Sequence, residues 1–142
     1  MLGIGGCSLM SKRILDTAVL ISHYNKMTTL KSADTVKAHA KLLVDLQRTN
    51  WILSPIRIEF LCGSRDSAEF RLYSAYLETF EVLDRRNIPS RDLSEAERRA
   101  QRVKEDGRTR KLGDCLILAI AARLHAAVVT KDRHFHRRIP PK

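Results

Sequence analysis

Four acidic residues stand where carboxylates can do chemistry. Asp16 closes the apolar run Ile14-Leu15 and is followed by Thr17, and Asp132 comes two residues after Thr130 at the end of another apolar run. Asp114 heads the most apolar stretch of the chain, and Glu59 is enclosed by Ile56, Ile58, Phe60 and Leu61. Each has an ordinary structural reading: Asp16 and Asp114 as helix caps, Asp132 in a turn, Glu59 on a solvated face. If the four converge, each like-charged pair about 4 Å apart at an effective dielectric near 20 costs on the order of 4 kcal/mol. Protonation or a cation must then relieve it. Carboxylate oxygens suit Mg²⁺ or Mn²⁺, which polarise a phosphate and activate water for phosphodiester hydrolysis.

Convergence depends on the elements around these residues. Residues 13–15 form a short strand, and Ala18 to Tyr24 a short helix after it. Between Leu30 and Thr49, Val36, Ala40, Leu43 and Val44 recur at helical spacing. Trp51-Ile52-Leu53 is too short for a helix and reads as a buried strand. Pro55 suits a first helical turn leading into Ile56 to Cys62, although the alternation Ile56, Ile58, Phe60 also fits a strand. Phe70, Tyr73, Tyr76, Leu77 and Phe80 place a helix over 67–80, followed by a short strand at 81–83. Ser94 with Glu97 predicts a capping box opening a polar helix to about Asp106, stopped by Gly107. Leu112 to Leu124 is apolar nearly all round, as in a helix buried on a sheet, and Ala127 to Thr130 is the strand after it.

Strands alternating with helices predict an α/β domain with a mostly parallel central sheet of four to five strands and helices on both faces. Sites in such sheets lie beyond the carboxyl ends of the strands, which lets Asp16 and Asp132 share a pocket. The 142 residues suffice for one domain: a loose extension over 1–12, the folded unit over 13–137 and a basic tail over 138–142. Twenty-six Lys and Arg against sixteen Asp and Glu give a net charge of +10, which favours a polyanionic partner. Cys7, Cys62 and Cys115 are odd in number and lack CxxC spacing, so no disulfide framework or cysteine zinc site is expected; a reducing cytoplasm fits. No run approaches the roughly 18 apolar residues of a membrane span.

The ordered motifs Ile14-Leu15-Asp16-Thr17, Ser54-Pro55-Ile56-Arg57-Ile58-Glu59-Phe60, Gly113-Asp114-Cys115-Leu116 and Val129-Thr130-Lys131-Asp132-Arg133-His134-Phe135 resemble those of PIN-domain nucleases, most closely VapC-type toxins of toxin-antitoxin pairs. The resemblance covers residues 13 to 135. It implies a metal-dependent endoribonuclease using Mg²⁺ or Mn²⁺, with Asp16, Glu59, Asp114 and Asp132 as catalytic and metal-holding acids and Thr17 and Thr130 orienting acids or water. It also implies RNA as substrate, a homodimer, and a small antitoxin protein as inhibitor. Many relatives continue into a final edge strand, whereas Pro140 and Pro141 would end one here.

From Arg98 to Lys111 there are seven basic residues against two acidic ones. Arg99, Arg102, Arg108 and Arg110 are therefore candidates for RNA phosphates, although a solvated helix face is an equal reading. Arg133, next to Asp132, is better placed to touch substrate. His134 and His136 read as a surface tail, and Phe70 and Phe80 as core. Other functions compatible with the pattern are a catalytically silent PIN fold that binds RNA or protein, and a housekeeping RNA-processing nuclease. An aspartyl phosphotransferase fits poorly, because Asp16-Thr17-Ala18 lacks a second acid two residues on.

Overall fold

The computed structural model describes residues 12–101 and 112–130. Its described elements run β1 (Lys12–Leu15), α1 (Thr17–Asn25), α2 (Ala33–Gln47), β2 (Trp51–Ile52), α3 (Ser54–Cys62), α4 (Ser67–Leu77), β3 (Glu81–Val82), α5 (Ser90–Gln101), α6 (Leu112–Arg123) and β4 (Ala126–Val129). The strands form one sheet in the order β3-β2-β1-β4, and every pairing is parallel. The α/β architecture expected from the alternation is therefore present, with four strands among the described residues. A fifth strand and the tail fall outside those residues.

The centre of the sheet is buried because its residues there are apolar. Ile14, Leu15 and Ile52 are fully inaccessible, and Val128 nearly so. Each such aliphatic side chain contributes roughly 1.5–3 kcal/mol when removed from water. Leu20 of α1, Val36 and Ala40 of α2, Ile56 of α3, Tyr76 and Leu77 of α4, and Ile117 and Ile120 of α6 belong to the same core. Chain order and spatial order diverge at one place. From β1 the chain moves to β2 and β3 on one side, while β4 returns to the other. The carboxyl ends of β1 and β4 thus flank the point where strand order reverses, the usual location of a site in an open parallel sheet.

Local chemistry accounts for the helix boundaries. Ser32 caps α2 by accepting from Thr35 N at 3.2 Å, while Ser32 N donates to Thr35 Oγ1 at 2.7 Å. Such a cap is worth about 1 kcal/mol. The segment 56–62, open between helix and strand from its alternation, is helical, with Pro55 in the first turn where its missing N–H is harmless.

Two expectations are corrected. The polar helix does not open at Ser94. It begins at Ser90, with Asp92 N donating to Pro89 O at 2.9 Å. Asp92 is buried and accepts Arg123 Nε of α6 at 2.9 Å on each oxygen, so a tertiary ion pair holds the extra turn. Phe70 is not core: it is 47% exposed, whereas Tyr76 and Phe80 on the inner side of the same stretch are buried.

Candidate active site

Asp16 is the first residue beyond β1, and its backbone N–H extends the ladder to Val129 O at 3.0 Å. It has extended φ/ψ at the N-cap of α1, and its carbonyl accepts from Val19 N and Leu20 N. Its side chain does not cap that helix. Instead the carboxylate is buried and accepts a hydrogen bond from Thr130 Oγ1 at 2.8 Å. Thr130 immediately follows β4, so the parallel pairing of Leu15 with Val129 sets the two residues side by side.

Glu59 arrives from another direction. It lies on α3, which starts directly after β2, and its Oε1 accepts Thr17 Oγ1 at 2.5 Å. Thr17 is buried in the first turn of α1, adjacent to Asp16. Two carboxylates on different elements are thus each held by a threonine, and the threonines are the ones expected to orient acids. Gly113 in the first turn of α6 completes the contact: a Cβ there would lie 3.5 Å from Glu59 Oε2. At that distance a methyl group would make ordinary contact with the carboxylate, and a larger side chain would crowd it. Asp114 follows in the same turn and is half-buried.

The electrostatics run against an isolated anion. Burial raises the Asp16 pKa above its ordinary value, and the negative charge of Glu59 pushes in the same direction, while the hydrogen bond from Thr130 and the nearby N–H groups of Thr17 and Ala18 oppose the shift. A neighbouring cation would reverse the first two effects. Among the described residues no three His, Cys, Asp or Glu side chains gather closely enough to hold a metal ion. Asp16 and Glu59 are brought together. Asp132 and Arg133 lie outside the described residues, as do Arg102, Arg108, Arg110, His134 and His136. The donors present are hard carboxylate oxygens, already steadied by hydroxyl groups, and they suit Mg²⁺ or Mn²⁺ over softer metals.

Arg99 departs from the expectation placed on it. It is 6% exposed, and its Nε lies 2.9 Å from Glu95 Oε2, one turn earlier on α5. Ala96, on the same helix, packs against Cys115 and Ala119 of α6, and burial in this layer takes Arg99 away from a solvent-facing phosphate track. Cys115 is buried in that layer, as expected of a packed small hydrophobe.

Asp84 is a buried acid that the sequence reading passed over. It follows β3 as Asp16 follows β1, and accepts from Ser54 N at 3.2 Å and from the Ser54 hydroxyl. An acid directly after a short apolar strand, as in Val82-Leu83-Asp84, was the available signal. No helix among the described residues is long and apolar enough to cross a membrane.

The family model of the PIN domain matches residues 13–139. No curated protein matches the chain.

Proposed function

This chain belongs to the PIN-domain family of nucleases, and from that premise we propose that it is a metal-dependent endoribonuclease, the toxin of a VapBC-type toxin-antitoxin pair. The observation that carries the reading is the pairing of Asp16 and Glu59, each anchored by a threonine at the carboxyl edge of the sheet. Neighbouring carboxylates, here buried Asp16 and exposed Glu59, gain from a divalent cation between them. Asp16 and Glu59 would hold Mg²⁺ or Mn²⁺, with Asp114 and Asp132 as further ligands. When bound, the cation supplies Lewis-acid polarisation of a phosphoryl oxygen and acidification of water. Thr130 and Thr17 fix which oxygens of Asp16 and Glu59 remain for that task. The +10 net charge favours a polyanionic substrate.

The toxin assignment rests on the sequence motifs and on the chemistry of inhibition. An Arg or Lys of a small antitoxin entering the carboxylates gains charge-assisted hydrogen bonds and competes with metal. A homodimer and a cytoplasmic location belong to the same proposal.

Cleavage of single-stranded RNA by purified protein, with Mg²⁺, with Mn²⁺ and with EDTA, tests the enzymatic reading. Cleavage should require metal and vanish in Asp16→Asn and Glu59→Gln. Equal cleavage by Asp16→Asn, with contaminating nucleases excluded, would sink it. Induced expression should arrest growth, co-expression of the product of an adjacent short reading frame should relieve the arrest, and light scattering should report a dimer.

A further inference from the structure

We propose that Arg57, Arg85 and Arg86 form a phosphate-binding subsite for RNA, on the carboxyl edge of the sheet beside the acidic pair. The inference rests on the nuclease reading above and adds to it where the substrate strand runs.

The placement follows from the topology. In the order β3-β2-β1-β4, Arg85 and Arg86 follow β3, Arg57 lies in the helix that follows β2, and Asp16 follows β1. Arg57 and Glu59 are two residues apart on α3 and so point to different sides of it. A strand crossing the start of α3 would leave the acids on one side and meet the arginines on the other. The helix it crosses is about 10–12 Å wide with side chains.

The three arginines share an open hollow of about 440 Å³, whose wall also includes Phe80 and Val82. Among the described residues none of the three has a carboxylate within ion-pair distance. Glu78 and Glu81 rim the same hollow, but Glu78 is engaged by Lys37 at 3.5 Å. An anion in the hollow would offset the mutual repulsion of the three guanidinium groups that line it.

The arrangement is also held in place. Arg85 and Arg86 both adopt left-handed backbone, with φ of 53° and 59°, a conformation that side-chain-bearing residues rarely take in succession. Asp84 fixes the turn by accepting from Arg86 N at 3.4 Å while its carboxylate binds Ser54 at the start of α3. The arginine turn and the helix bearing Arg57 and Glu59 are thereby tied to one buried acid.

The test is binding of a fluorescent single-stranded oligoribonucleotide in EDTA, where no metal-dependent cleavage intrudes, across about 50 to 200 mM salt. Arg85→Asn/Arg86→Asn removes both charges with a residue that tolerates left-handed backbone, and Arg57→Gln is an independent variant on a regular helix. Arg48→Asn is the control, an exposed arginine with φ of 57° that precedes β2 at the other edge of the sheet. The double variant should bind about tenfold more weakly, with the salt slope reduced by about 1.4, as for two lost phosphate contacts at about 0.7 each. Arg57→Gln should weaken binding in the same direction, and Arg48→Asn should match wild type. Equal affinity of wild type, Arg57→Gln and the double variant overturns the subsite, and if wild type still cleaves RNA the nuclease reading survives. Loss of affinity for polyglutamate without loss for RNA overturns it in favour of an acidic protein partner. Wild type that neither binds nor cleaves RNA overturns both.

Discussion

Thr130 Oγ1 donates to Asp16 Oδ2 across 2.8 Å, joining the residue after β4 to the residue after β1 over 114 positions of chain. The bond lowers the Asp16 pKa against the larger effect of burial. Thr130→Val removes it, so the Asp16 pKa should climb further and cation binding should weaken. Partners of this kind typically contribute about 10–100-fold to metal affinity or activity. Cleavage by Thr130→Val should fall by that factor, with the acid limb of its pH–rate profile moved to higher pH, and Thr130→Ser should restore both. An unchanged profile would separate Thr130 from the site.

Asp16→Asn should lose cleavage by more than about a hundredfold yet unfold no more easily than wild type in EDTA. The folded-state pKa of Asp16 is raised, so folded protein binds more protons than unfolded chain just above the ordinary carboxylate value. Stability therefore falls as pH rises through that window and stays reduced at neutral pH. Asparagine removes the charge and can still accept from Thr130. Thermal unfolding with and without Mn²⁺ gives a second readout. Wild type should gain about 2.7 kcal/mol at a hundredfold excess over Kd, and the variant far less. A variant that is much less stable in EDTA would contradict the electrostatic account.

Gly113 separates packing from chemistry. The Cβ of Gly113→Ala would make only ordinary contact, 3.5 Å from Glu59 Oε2. Replacing a helical glycine by alanine should then stabilise the protein by up to about 1 kcal/mol. Gly113→Val adds two methyl groups beside the same carboxylate and should depress cleavage while leaving the fold intact. Denaturant unfolding and RNA cleavage of the two variants check both halves. Severe destabilisation by alanine would mean that α6 sits closer to α3 than the structure shows.

Away from the site, His23 and His39 stack with ring centroids 3.7 Å apart, and His23 Nδ1 lies 2.7 Å from the hydroxyl of buried Tyr76. Burial raises the Tyr76 pKa, so the phenol keeps its proton beside His23. Burial, then His39 and Lys26, pull the His23 pKa down from 6.5 to about 4. Unfolded chain therefore binds the extra proton first, and stability present above pH 6.5 is lost as pH falls toward 4. Denaturant unfolding between these limits should show that decline, and His23→Gln should flatten it. Tyr76→Phe should cost about 1 kcal/mol at neutral pH. A wild-type curve without the decline would rule out a neutral His23.

Apart from 56–62, whose alternation fitted helix and strand alike, sequence alone determined which segments are strands and which are helices, because that choice is made by local periodicity. Ile14-Leu15 and Val128-Val129 are apolar on both faces, and a parallel sheet covered by helices is the arrangement that buries them. It also placed Asp16 at a strand end, where the site of such a sheet belongs. Tertiary structure decided the partners. Nothing within a few residues of Glu59 indicates that Thr17, 42 positions earlier, will hold its carboxylate, or that Gly113 will leave room beside it. The same dependence explains the departures. Ser94 and Glu97 carry a genuine capping pattern, but the buried Asp92–Arg123 ion pair adds a turn before them. Arg99 belongs to a basic run, yet packing of its helix leaves it buried, paired with Glu95 one turn earlier on the same helix. Local signals are read over three or four residues, whereas the hydrogen bonds that build this site join elements whose proximity exists only once the sheet has closed.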